Sequence, residues 1–262
     1  MSLYLSALNS GSNGNCYYIG SDHDAVLIDA GISCRETERR MARLGLSIDR
    51  VHAIFISHEH SDHIRGVEVL SRKHRIPVYI SPVTHLNSLL RLDPHLLKPF
   101  SADEELHFGS LNVKAFPKQH DAADPYSFTV TGSGITVGVF TDIGSVCEQL
   151  IHHFGQCHAA FLEANYDETM LEEGRYPYFL KKRIRGDKGH LSNMQALELF
   201  NSYRSPFLEL LVLSHISEQN NHPRIITDLF APHAHGTRVA IASRFGESEV
   251  FSVRYENQSF ID

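Results

Sequence analysis

Short apolar, β-branched or aromatic runs recur along most of this chain, and they limit what it can fold into more than any other feature. They fall at Leu3–Leu8, Cys16–Ile19, Ala25–Ile28, Val51–Ile56 and Val78–Ile80, then at Leu111–Phe116, Ser127–Val130, Ile135–Phe140, Ala159–Leu162, Leu208–Leu213, Val239–Ala242 and Val250–Val253. Each has the length of a strand and is bounded by Gly, Pro, Asn, Asp or Ser. Helical signals lie between many of them. Ser33 with Glu36 three residues on forms a capping box ahead of RETERRMARLG, and Gly45 is placed to stop that helix. Ser81-Pro82 starts another that should end near Leu90, while residues 64–74 and Asn193–Tyr203 also fit helices. Strands come first in hairpins, one turned by Gly132-Ser133-Gly134, and later alternate with helices. The pattern predicts an α/β fold of two sheets covered by helices. With no repeat, low-complexity tract or Pro/Gly linker to divide it, residues 1–262 are expected to form one domain.

A hydrophobic content of 42% and a net charge of -7 suit a folded protein whose surface as a whole does not seek nucleic acid, although a local basic groove remains compatible with that balance. The four cysteines form no CxxC pair, so a disulfide framework or thiolate zinc site is not expected and a reducing cytosol is the simplest setting. Neither a leader pattern nor an apolar run of membrane-spanning length is evident, and the chain reads as cytoplasmic. It carries no P-loop or Rossmann glycine signature, so no nucleotide cofactor is expected.

The 18 histidines are the anomaly. His58, His60 and His63 crowd with Glu59 and Asp62 into ISHEHSDHIRG, between a buried-strand pattern and a helical one. That places them at the carboxyl end of a strand, the edge where open α/β sheets bind ligands. Imidazole and carboxylate suit zinc, manganese or iron at neutral pH. Histidines at i and i+2 converge on one ion from an extended turn, and the following Asp-His pair serves a second. His23, His52, His74, His85, His95, His107, His152, His153 and His158 are expected on the surface; the alternating pair His233 and His235 is a rival metal candidate outside this constellation.

The turn resembles the signature of the metallo-β-lactamase superfamily, and the superfamily's other motifs occur in order: VLIDAGIS with Asp29, VKAFPKQHDAADPYSF with His120, VGVFTDIG with Asp142 and LLVLSHISEQNN with His215. The resemblance implies a four-layer αββα sandwich. It also implies that His58, His60 and His120 hold one divalent ion, that Asp62, His63 and His215 hold a second, and that Asp142 bridges them. Asp29 would orient ligands without binding. Glu59 is left over and is expected to face solvent.

Along nearly its full length the chain is similar to the YycJ/WalJ-like family, through NSGSNGNCYYIG, SHEHSDHIRGV, FLEANYD, GHLSN and LSHISEQNN. The resemblance implies a 5′-to-3′ exonuclease on double-stranded DNA that uses a hydroxide activated by two metal ions, with Asp62 orienting it. Glu163 and His190 match in order the glutamate and histidine of tRNase Z-type nucleases, where the histidine donates a proton to the leaving oxygen. Just ahead of His190, Lys181, Lys182, Arg183, Arg185 and Lys188 form a basic run that would meet a phosphate backbone. A small-molecule phosphodiesterase or thioesterase of the same superfamily is the alternative, ahead of a di-iron redox protein or a non-catalytic metal-binding module.

Overall fold

The computed structural model describes residues 2–254. The first part of the chain forms β1 (Ser2–Asn9), β2 (Cys16–Gly20), β3 (Ala25–Ile28), α1 (Cys34–Arg43), β4 (Val51–Phe55), α2 (Ser61–Ile64), α3 (Val67–His74), β5 (Val78–Ile80), α4 (Pro82–Asn87) and β6 (Leu97–Pro99). After it come β7 (Glu105–Phe108), β8 (Leu111–Pro117), β9 (Tyr126–Gly132), β10 (Ile135–Phe140), α5 (Glu148–Phe154), β11 (Ala159–Glu163) and α6 (Glu168–Glu173). The rest is α7 (Tyr178–Ile184), α8 (Asn193–Tyr203), β12 (Leu210–Ser214), α9 (Pro223–Phe230), β13 (Arg238–Ile241) and β14 (Phe251–Arg254).

Two seven-stranded sheets result, ordered β14-β1-β2-β3-β4-β5-β6 and β13-β12-β11-β10-β9-β8-β7. In each sheet antiparallel strands pass into parallel ones, from β3 through β6 in the first and from β10 through β13 in the second. Strands such as β3 and β11 are buried along their whole length because both faces are covered. One face of each sheet packs on the other sheet, joining Leu5, Val26 and Phe55 to Val113, Phe128, Val137 and Phe161. The opposite face of the first sheet lies under α1 and α3, through Leu27, Ile54, Met41, Val67 and Leu70. That of the second lies under α5, α8 and α9, through Leu162, Phe154, Phe200 and Phe230. The chain is an αββα sandwich. Among the described residues no helix is long and apolar enough to cross a membrane.

Several elements depart from their expected form. The helix over residues 64–74 is split into α2 and α3, because the Gly66 amide turns back to donate to the Ala30 carbonyl. Ser33 caps α1 through the Glu36 amide, but the Glu36 carboxylate pairs with Arg39 instead of closing the box. His153 is a correction: it is buried, stacked on Phe116 with ring centroids 4.0 Å apart, and not a surface residue.

Candidate metal centre

The site lies at the carboxyl ends of strands from both sheets. Asp29 follows β3, residues 58–63 follow β4, His120 follows β8, Asp142 follows β10, Glu163 ends β11 and His215 follows β12. Three of these residues have left-handed backbone, with φ of 61° at Asp29, 55° at Asp142 and 54° at His215. Non-glycine residues persist there only when their surroundings over-determine them. The surroundings are specific. The Asp29 amide donates to the Phe55 carbonyl, and the His215 amide donates to Ser10 Oγ at 2.8 Å. Beside Asp142, the buried Lys118 Nζ donates to the Thr141 carbonyl at 2.7 Å. Gly31 lets the Asp29 turn lie against the histidine turn, since a Cβ there would sit 1.7 Å from the Asp62 carbonyl oxygen.

Hydrogen bonds behind the histidines turn their inner nitrogens toward one another. His63 Nδ1 donates to Asp29 Oδ2 at 2.7 Å, and the same carboxylate accepts from the Ser57 amide and hydroxyl, each at 2.8 Å. The Ser57 hydroxyl, spent on Asp29, accepts from His58 Nδ1 at 2.9 Å. His120 Nδ1 donates to the Gly189 carbonyl at 3.1 Å and His215 Nδ1 to Glu163 Oε1 at 2.9 Å. Nε2 of all four rings is thereby left facing inward. His60 presents Nδ1, which lies 3.0 Å from His58 Nε2.

Donor atoms of His58, His60 and His120 fall within 4.8 Å of one another, as do those of Asp62, His63 and His215. Asp142 stands between these trios, 3.2 Å from His63 Nε2, 3.5 Å from His215 Nε2 and 3.8 Å from His120 Nε2. His120 Nε2, His215 Nε2 and Asp142 Oδ2 are buried with no hydrogen-bond partner. Orphaned buried polar atoms are costly. Such atoms within two adjoining sets of imidazole and carboxylate donors fit divalent cations.

The electrostatics of the metal-free chain agree. Burial, helped by the neighbouring Lys118, pushes His58 well below the usual imidazole range and takes His120 down to about 4 against the pull of Asp142. Burial also acts to lower His63, but Asp142, Asp29 and Asp62 outweigh it and raise that ring to about 10. At Asp142 burial opposes ionisation, yet His215 and His63 hold the carboxyl well below its ordinary value.

A second pair abuts the cluster. Glu163 is fully buried; burial disfavours its charge, but His190 and His215 hold it at about 2. Its Oε1 accepts from His190 Nδ1 at 2.8 Å, and its Oε2 accepts from the Ile143 amide at 2.7 Å. Of the basic run, Arg183 pairs with Asp121 at 2.5 Å, Arg185 pairs with Glu172 at 2.8 Å, and Lys181 Nζ donates to the Glu172 carbonyl. Lys182 and Lys188 are exposed. His233 and His235 join no group of converging metal donors among the described residues.

The structure also adds residues. Asp121 lies 3.3 Å from His120 Nε2, and Asn15 Nδ2 lies 3.3 Å from Asp62 Oδ2 and 3.1 Å from His63 Nε2. Asp121 adjoins the histidine in KQHD, which could have drawn notice; Asn15 and Lys118 look like ordinary loop and strand-end positions. Glu59 does not face solvent as expected. Its Oε1 accepts from the Ala123 amide at 2.8 Å and its Oε2 is buried, tying the histidine turn to the loop after His120.

Residues 24–216 match the family model described as beta-lactamase superfamily domain. The exodeoxyribonuclease YycJ of Bacillus anthracis is 35% identical over 226 residues, covering 84% of this chain and 85% of that protein. The exodeoxyribonuclease WalJ of Streptococcus pneumoniae is 31% identical, covering 82% of each. Among solved structures, the metallo-beta-lactamase fold protein YhfI from Bacillus subtilis aligns over 96% of this chain and 99% of that one, with a TM-score of 0.71 at 16% identity, a likeness of fold. With the αββα sandwich and the histidine–aspartate cluster at its strand ends, these matches show that the chain belongs to the metallo-β-lactamase superfamily, in the YycJ/WalJ-like family.

Proposed function

We propose that the chain is a metal-dependent phosphodiesterase that digests double-stranded DNA from the 5′ end. The observation that carries this reading is the His190–Glu163 pair at 2.8 Å beside the cluster, since a phosphodiester's departing alkoxide needs a proton. The exodeoxyribonuclease names of the two relatives support DNA as the substrate.

His58, His60 and His120 would hold one divalent ion and Asp62, His63 and His215 another, with Asp142 shared between them; zinc, manganese and iron all suit these donors. Bound there, such ions supply Lewis-acid polarisation of the phosphate and lower the pKa of water. The side chains do the rest. Asp29 keeps the His63 ring in its orientation. Asp62, only partly covered, accepts a hydrogen bond from the attacking water and aims it. Glu163, ionised at neutral pH, accepts a hydrogen bond from His190 Nδ1 and so presents the other edge of the ring to the leaving oxygen. Lys182 and Lys188, with the already paired Lys181, Arg183 and Arg185, would meet the phosphate backbone.

The core shared by the two sheets supports one domain, and the four free cysteines support a reducing, cytosolic setting. Replacing His190 by alanine is expected to reduce turnover on duplex DNA by about 10²- to 10⁴-fold. Metal content, read by elemental analysis, should stay at the wild-type level. Loss of bound metal would make His190 a ligand instead of the acid.

A further inference from the structure

Beside His190 the surface falls into a pocket of about 190 Å³. Tyr176 and Leu180 supply an apolar wall, Ser12 and Ser217 a hydroxyl-bearing one, and Arg183 borders it together with its ion-pair partner Asp121. The His190 ring lines this pocket while its Nδ1 is turned away to Glu163. A group that takes a proton from the other edge of the ring would sit between this pocket and the cluster, where the His120 and His215 rings lie 5.3 and 5.2 Å from that of His190.

Resting on the phosphodiesterase reading, the chemistry names that group. In a hydrolysis that leaves a 5′-phosphate on the remaining strand, the water oxygen bonds to phosphorus and the P–O3′ bond breaks. The departing O3′ keeps the electron pair and takes the proton from His190. That oxygen belongs to the nucleotide on the 5′ side of the scissile phosphate. An enzyme working from a 3′ end by the same bond cleavage would have to place the whole remaining polymer beside the acid, which calls for an open groove. A small pocket calls for a single unit. We infer that this pocket seats the 5′-terminal nucleotide of the DNA, its base against Tyr176 and Leu180, its sugar and phosphate toward Ser12, Ser217 and Arg183. An aromatic face accepts any base, so the seat would be indifferent to sequence.

The test uses the metal-loaded full chain and 5′-dAMP as probe, with binding measured by titration calorimetry, beside digestion of 5′-phosphorylated duplex. Wild type should bind 5′-dAMP and release mononucleotides from the first turnover. Tyr176→Ala should weaken 5′-dAMP binding about tenfold or more, a loss typical of a stacking partner. It should raise KM for duplex ends by a similar factor, with a smaller change in kcat, and Tyr176→Phe should restore both. Digestion that begins with longer fragments, or 5′-dAMP binding that is the same in Tyr176→Ala, would overturn the inference while leaving the nuclease reading in place. Absence of any DNA digestion would instead sink the nuclease reading, and the 5′-dAMP titration would still decide whether the pocket takes a nucleotide.

Discussion

Asp29 touches no expected ligand except His63, yet its carboxylate gathers three hydrogen bonds and fixes which nitrogen that ring turns inward. Asp29→Asn keeps the shape but puts an amide where an acceptor is required. Metal affinity should fall about 10- to 100-fold, the usual cost of losing such a partner; competition with a chelating dye would measure it, and unchanged affinity would refute the role. His63 carries a second consequence. In the metal-free chain burial pushes the ring down, but Asp142, Asp29 and Asp62 raise it to about 10. A raised imidazole stays protonated up to that value, so from neutrality to about pH 10 an incoming cation must displace a proton. Zinc binding at pH 8 should release protons, and affinity should climb with pH across that window. Calorimetry in buffers of differing ionisation enthalpy counts the protons, and zero release would contradict the assignment. At this scale the sequence was informative about identity but not about contact. Asp29, Asp142 and His215 stood in recognisable motifs, whereas Asn15 and Lys118 enter the site only because distant strands converge. Glu59 was misjudged because a turn glutamate gives no sign of the Ala123 amide waiting 64 positions away.

The elements that build the site are short, and their junctions set the geometry. Gly31 is the tightest of these, with no space for a side chain against the Asp62 carbonyl. Gly31→Ala should displace the histidine turn, cost about 3 kcal/mol or more and lower bound metal. Gly45→Ala is the control: φ is 69° there and nothing lies within 4 Å of the added carbon, so the cost should be about 1 kcal/mol with metal content unchanged. Thermal unfolding and elemental analysis of the two variants test the contrast; equal behaviour would mean that the close approach does not position the turn. The same local view explains which elements could be read in advance. β3, β5 and β10 match their apolar runs residue for residue because both faces of each are covered. β6 is three residues long and ends in proline, and β7 is a four-residue edge strand whose Leu106 and Phe108 alternate with exposed Glu105 and His107, so neither forms a continuous apolar run. The pattern over α7 is basic and aromatic without a buried stripe, and only its place in the fold sets it beside His190.

Across the whole molecule, two sheets with different connections deliver one site. Residues 29 to 63 come from the first sheet and residues 120 to 215 from the second. The apolar core between the sheets sets the distance between the halves. The sandwich was legible because strand-length runs and interleaved helices leave few other ways to cover two sheets. The distances within the cluster were not, because they depend on how the sheets pack. A net charge of -7 disfavours DNA over the surface as a whole, so the proposed reading needs a local cationic patch such as that of the exposed Lys182 and Lys188. The most direct test of the central claim is digestion of duplex DNA carrying separate 5′ and 3′ labels, with manganese or zinc added and His120→Ala run beside wild type. Stepwise loss of the 5′ label, absent in the variant, is the predicted result. Duplex left intact under every metal condition, or a 3′ label lost first, would contradict it.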